Sequence, residues 1–193
     1  MDTPYQPNGT GFDALDELEQ VDWSGLEHCY GKGVVSLGAA GDMSLAIAGD
    51  VSRSLAALRA DSSLAISDGL SSNCHQGTVY QATAYAVPFV AAVAAGDVPD
   101  GIRVPLLALL GDISIGGSYI APDGSHAGAL GDHVDDPVAE SLATSMERLS
   151  TIRAPRLVAL IQAIQSLLVQ TTDARSDAVE SAIDVALTPP GTP

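Results

Sequence analysis

Two cysteine–histidine neighbours, His28-Cys29 and Cys74-His75, are the first residues whose types could do chemistry. Thiolate and imidazole are the usual zinc ligands, and four such groups would complete a tetrahedral site. Their spacing argues otherwise. Structural zinc ligands sit two to four residues apart, whereas adjacent residues on a helix point about 100° apart. Two buried thiols, with two histidines capping turn backbone, fit the pattern better, so no metal is assigned.

A second cluster, His126, Asp132, His133, Asp135 and Asp136, mixes imidazoles with carboxylates in one stretch. Such groups bind divalent metals or exchange protons. The stretch has neither His-Glu-x-x-His nor a histidine pair at helical spacing, and a solvated acidic loop accounts for the same residues. Gly31-Lys32-Gly33 lacks the spaced glycine and the Ser or Thr of a phosphate loop. Ser125-His126 are adjacent, which is no arrangement for a nucleophile and its base, and there is no Gly-x-Ser-x-Gly elbow. The expectation is a non-catalytic protein without a cofactor. The alternative is a small metal-binding protein or metal-dependent hydrolase using residues 126–136. A separate binding role is assigned to His75, Gln76 and Tyr80, polar residues around the start of the most distinctive helix.

That helix lies in HQGTVYQATAYAVPFVAAVAAG, His75 to Gly96. Thr78 and Gln81 have capping-box spacing, placing the start at Thr78. The segment is Ala-rich, apolar nearly all round, and carries Pro88 well inside. Such a helix must be packed on several sides, which implies layers of helices. Tyr80 and Tyr85 face different sides, so at least one belongs to the core.

The remaining elements follow from period and punctuation. Residues 1–11 read as a flexible leader, followed by a short acidic helix from Asp13 to Gln20 and a further turn or two from Asp22 to Tyr30. Residues 31–49 are glycine-rich and irregular. Asp50 caps a helix with Val51, Leu55 and Leu58 on one face, and another spans about Ser63 to Ser71. Pro105 opens a helix that stops at Gly111. Residues 113–136 lose all periodicity, and a loop that long is functional or mobile. Val138, Leu142 and Leu149 form one stripe. Leu157, Leu160, Ile161, Ile164, Leu167 and Leu168 form another after Pro155. A last helix starts near Asp177, with Glu180 as its box partner, and buries Val179, Ile183 and Leu187. The tail 189–193 cannot continue it and is expected to be disordered. No strand alternation is visible, so residues 12–188 are expected to form a single all-α domain.

Composition narrows the partners. Of 193 residues, 46% are hydrophobic but only 4% aromatic, so the core must be built from small aliphatic side chains. Asp and Glu number 24 against 8 Lys and Arg, a net charge of −16, and Lys32 is the single lysine. A surface of that sign repels nucleic-acid phosphates and anionic membranes. It fits a salt-rich cell interior or an ordinary acidic soluble protein equally well. With two cysteines, no secretory leader pattern and no apolar run long enough to span a bilayer, a reduced cytoplasmic setting is expected.

The central segment resembles a group of bacterial HEAT-repeat-like proteins of unassigned function. The residues that carry the resemblance are His75, Gly77, Tyr80, Ala82, Ala86, Pro88 and Phe89, with WSGLEHCYG (Trp23–Gly31) upstream and LLALLGDIS after Pro105. Residues 33–49 depart from the pattern as an insertion. The resemblance implies a short α-solenoid of antiparallel helix pairs, with a proline inside one helix of a pair, acting as a scaffold without chemistry of its own. On that reading the protein binds a protein or peptide, and the acidic surface selects a basic one.

Overall fold

The computed structural model describes residues 3–28, 31–32, 55, 58, 74–75, 77–118, 134–170 and 172–189. The helices expected around 50–60 and 63–71, the irregular 33–49 segment and most of the 113–136 loop lie outside these residues, as does the tail from 190. Leu55 and Leu58, expected on one helical face, are both buried.

The chain packs as an all-α stack around α1 (Gln81–Ala95). From Ala82 to Ala94 every residue except Tyr85 is buried. Its neighbours are α2 (Asp100–Ile115), α3 (Asp135–Leu149), a 3₁₀ segment (Gly11–Gln20) and strand β1 (Glu27–His28), which pairs antiparallel with β2 (Gly31–Lys32). A helix apolar on all sides thus acquires cover on all sides. The capping box sits two residues later than the Thr78–Gln81 spacing suggests. Tyr80 is the N-cap, and its N–H donates to Thr83 Oγ1 at 2.9 Å. Thr78 is drawn instead into strand β4 (Thr78–Val79), which pairs antiparallel with β3 (Cys74–His75). Gly77, which leads into β4, has φ +78°, a left-handed conformation that favours glycine.

Pro88 lies inside α1, as expected. It has no N–H to offer the carbonyl of Ala84, one turn back, and a proline in a helix interior costs about 3 kcal/mol. Burial offsets this. Val87, Phe89, Val90 and Val93 on the same helix are all fully buried, each worth roughly 1.5–3 kcal/mol. The orphaned carbonyl finds another donor: Ser141 Oγ of α3 donates to Ala84 O at 2.7 Å. Ser145 Oγ in turn donates to Ser141 O at 2.8 Å, and both serines are buried. With Ala84 opposite, these small side chains let α1 and α3 approach closely.

Two helix boundaries differ from the sequence reading in α2. It begins at Asp100, with Pro99 O accepting from the N–H groups of Ile102 and Arg103, so Pro105 is internal. It also runs through Gly111 to Ile115. Gly111 marks a helix crossing, not a stop: a Cβ there would lie 2.7 Å from Ile183 Cδ1 on α5 (Asp173–Leu187). In α3, Val138, Leu142 and Leu149 are buried as expected. Helix α4 (Pro155–Val169) has Pro155 in its first turn and buries Leu157, Leu160, Ile161, Ile164 and Leu167, while Leu168 is only partly covered.

Helix α5 starts four residues before Asp177, after Thr172, because Arg175 and Ser176 N–H groups already bond to Thr172 O. Val179 and Ile183 are buried, but Leu187 is 49% exposed. Ala186 completes the 179, 183, 186 face in its place, since Leu187 falls about 100° beyond it. Arg156 at the start of α4 reaches Thr188 O after α5, and Arg175 at the start of α5 reaches Ser166 O, so the two helices are antiparallel.

The described part of residues 1–11 is not a free leader. Glu17 gathers the segment: its Oε2 accepts from Tyr5 Oη (2.6 Å), Asn8 N (3.0 Å) and Asn8 Nδ2 (3.1 Å), and its Oε1 from Gly9 N (2.8 Å). Arg148 of α3 donates to Pro7 O and Gly9 O. Tyr5 and Trp23 both pack on Phe89, with ring centroids 6.2 and 5.8 Å away. The acidic segment itself is 3₁₀ over Gly11–Gln20, burying Ala14 and Leu15. The Tyr5 hydroxyl, then the Asn8 and Gly9 N–H groups, hold the Glu17 carboxyl well below the usual carboxylate range, at about 2.

Two measurements test these contacts. Ser141→Ala strands a buried carbonyl and should lose about 1–3 kcal/mol of unfolding free energy. Adding Pro88→Ala restores an N–H for Ala84 O, so the double variant should be less destabilised than the sum of the singles, and strict additivity would refute the coupling. The depressed Glu17 pKa stabilises the fold above the unfolded value of about 4.3 and withdraws that support as pH falls toward about 2. The melting temperature of the wild type should therefore fall more steeply across that window than that of Glu17→Gln; parallel curves would contradict the assignment.

Candidate functional site

Strand β4 pairs on one side with β3 and on the other, in parallel, with β5 (Gly117–Ser118), with Thr78 opposite Gly117 and Val79 opposite Ser118. This three-stranded patch sits where the C-terminus of α2 meets the N-terminus of α3. It is locked there by a reciprocal pair of bonds. Ser118 N donates to Asp135 Oδ1 at 2.7 Å, and Val134 N donates to Ser118 Oγ at 3.0 Å. Asp135 occupies the first turn of α3, where a carboxylate meets the positive end of the helix dipole.

Behind this lock lies a pocket of about 280 Å³. Val79, Ile113, Val138, Leu142 and Leu167 supply apolar wall from β4, α2, α3 and α4. Among the described residues that line it, Ser114, Ser176 and Asp135 have polar side chains, and Asp135 is the one with a formal charge. Four helices reach the cavity by their ends: α2 and α4 by their C-termini, α3 and α5 by their N-terminal turns.

A second surface is the outer side of α5. Asp173, Asp177, Glu180 and Asp184 are exposed at helical spacings of four, three and four. One position further along, Ala174, Ala178, Ser181 and Val185 form a parallel exposed ridge of small side chains. Among the described residues no basic side chain pairs with the four acids. The Arg175 guanidinium is directed to Ser166 O and Gln170 O. The charge density reaches inward too: burial, and then the nearby Glu180 carboxylate, push the Asp112 carboxyl above its usual range.

The residues expected to bind are divided by the structure. Tyr80 is buried at the head of α1 and serves as its N-cap, a structural use for a residue expected to bind. His75 lies in β3, opposite Thr78. Gln76 lies outside the described residues. Of the 126–136 cluster, His126, Asp132 and His133 also lie outside them, Asp136 is exposed in the first turn of α3, and Asp135 is engaged by Ser118. His28 and Cys74 are placed only as strand residues, in β1 and β3, and Cys29 lies outside. Among the described residues no three His, Cys, Asp or Glu side chains are grouped to hold a metal. No described helix is long and apolar enough to cross a membrane.

The pocket was not foreseen. Its walls come from six separate elements, brought together only by tertiary packing. No protein family, curated protein or solved structure matches this chain.

Proposed function

We propose that this is a non-catalytic, HEAT-like helical-repeat protein of the cytoplasm that holds a basic protein or peptide against the outer face of α5. The observation that carries the reading is the acidic ridge Asp173, Asp177, Glu180 and Asp184 running beside the exposed ridge Ala174, Ala178 and Val185. Small side chains let a partner's backbone approach, and a line of carboxylates selects lysine and arginine on that partner. A second acidic copy, a nucleic acid or an anionic membrane would be repelled by the same line. All three exposed large hydrophobics among the described residues, Val169, Val185 and Leu187, belong to the α4–α5 pair.

Association of this kind is carried largely by charge, so it weakens with salt. A tagged full-length chain should retain a defined basic partner from native lysate at low salt and release it at high salt. Reversing Asp177→Lys and Glu180→Lys should abolish retention without unfolding the helix, since both side chains are exposed. If the reversed chain retains the same proteins as the wild type, the α5 face is not the binding surface.

A further inference from the structure

We propose that Asn8-Gly9 is a site of spontaneous chemical modification: Glu17 restrains the loss of ammonia from the Asn8 side chain while residues 3–10 are bound, and the loss, once it occurs, releases that segment. The site is independent of the α5 ridge. In an Asn-Gly pair the side-chain amide is readily attacked by the following backbone nitrogen, because glycine has no Cβ to hinder the approach. The pair occurs once in the chain, and the fold requires both of its members. A Cβ on Gly9 would lie 2.8 Å from Ala14 N and from the Asp13 carbonyl carbon, so the segment can lie against the 3₁₀ turn only with glycine there. Asn8 supplies a backbone N–H and a side-chain N–H to Glu17 Oε2, at 3.0 and 3.1 Å. Its side chain is exposed, so water reaches it.

The step is an intramolecular substitution. Gly9 N loses its proton and attacks Asn8 Cγ, the Cγ–Nδ2 bond breaks, and ammonia leaves with a proton in place of the one lost. Water then opens the cyclic imide at either of its carbonyls, giving aspartate or isoaspartate at position 8. In the folded chain one carboxylate holds both reacting groups: Gly9 N–H donates to Glu17 Oε1 at 2.8 Å, and Asn8 Nδ2 to Oε2. A negative charge against an N–H disfavours its anion, so Glu17 slows the attack. The product reverses the contact. A carboxylate at position 8 has no side-chain N–H to give and meets Glu17 with like charge, where the amide stood 3.1 Å from Oε2. Isoaspartate also lengthens the backbone by a methylene, which shifts the Gly9 N–H and C=O away from Glu17 and Arg148 Nη1. The segment so released covers an aromatic surface, since Pro4 and Pro7 are buried and Tyr5 stacks on Phe89.

Ageing the full chain at mildly alkaline pH, with peptide mapping for aspartate and isoaspartate at position 8, tests the restraint. Asn8 should lose its amide at least about tenfold more slowly in the folded chain than in a free peptide of residues 3–12, the factor that one pKa unit on the attacking nitrogen would give. Glu17→Gln keeps an oxygen acceptor but removes the charge, and should bring the rate toward that of the peptide. Hydrogen exchange of residues 3–10 tests the release. Chains modified at position 8 by ageing, and the Asn8→Asp chain, should lose protection there while α1 keeps its own. Asn8→Gln, whose longer side chain closes the ring far more slowly, should stay protected through the same ageing. A chain rate equal to that of the peptide, or a Glu17→Gln rate equal to that of the wild type, would overturn the restraint. Residues 3–10 as protected in the Asn8→Asp chain as in the fresh wild type would overturn the release.

Discussion

The stack depends on the way one helix interior is made to tolerate a proline. Pro88 sits at the centre of α1, where nearly everything else is buried, and it leaves the carbonyl of Ala84 without its usual donor. A buried carbonyl left unpaired costs as much as several favourable contacts gain. Ser141 supplies the missing hydrogen from a different helix, and that ties the register of α3 to the position of the proline. Serine is well suited to the task, because a larger donor would hold the helices apart and a smaller residue has no hydroxyl. Specificity in this aromatic-poor core thus comes from a polar bond, where most cores use the shapes of large side chains. Phe89 on the same helix takes Tyr5 stacked against it and Trp23 tilted against it, which fastens the N-terminal segment there.

The arginines show a related economy. All five described, Arg103, Arg148, Arg153, Arg156 and Arg175, donate to backbone carbonyls, most of them at the ends of helices or turns. Helix C-termini present unpaired carbonyls and a negative dipole end, so a guanidinium answers both needs at once. With the cations so employed, Asp100 is held by Arg103 and Arg156, while among the described residues no basic side chain pairs with the acids of the α5 ridge. Four of the 24 carboxylates of the chain are thus gathered in one exposed line on α5.

How much of this was legible in the sequence varies by element. Periodicity identified α3, α4 and the buried side of α5, because burial on one face leaves a 3.6-residue imprint. Boundaries were harder. Pro105 and Gly111 have the look of a start and a stop, yet one is accommodated in the early turns of α2 and the other is needed where α2 crosses α5. Local rules describe what a residue prefers alone, and a tertiary contact with Ile183 is not local. The β-strands were invisible because each is two residues long, too short to alternate. The N-terminal segment looked like a leader by composition, since nothing in a sequence rich in Pro, Gly and polar residues announces that Glu17 will gather it.

Candidate sites were less legible than folds, for a physical reason. The residues that looked chemical, such as Tyr80 and Asp135, are first of all structural: one caps α1, and the other locks β5 onto α3. A residue fixed by its structural role is also one whose remaining atoms are held still, which is what a binding pocket requires of its polar groups. Asp135 combines the two because the start of a helix needs a carboxylate and a cavity has formed beside it. The Ser118 bond orients it, and aliphatic side chains of β4, α2, α3 and α4 line the cavity beside it. The α5 ridge works by the opposite logic. Its acids are exposed and, among the described residues, have no basic partner, so they can attract over a distance but cannot discriminate shape.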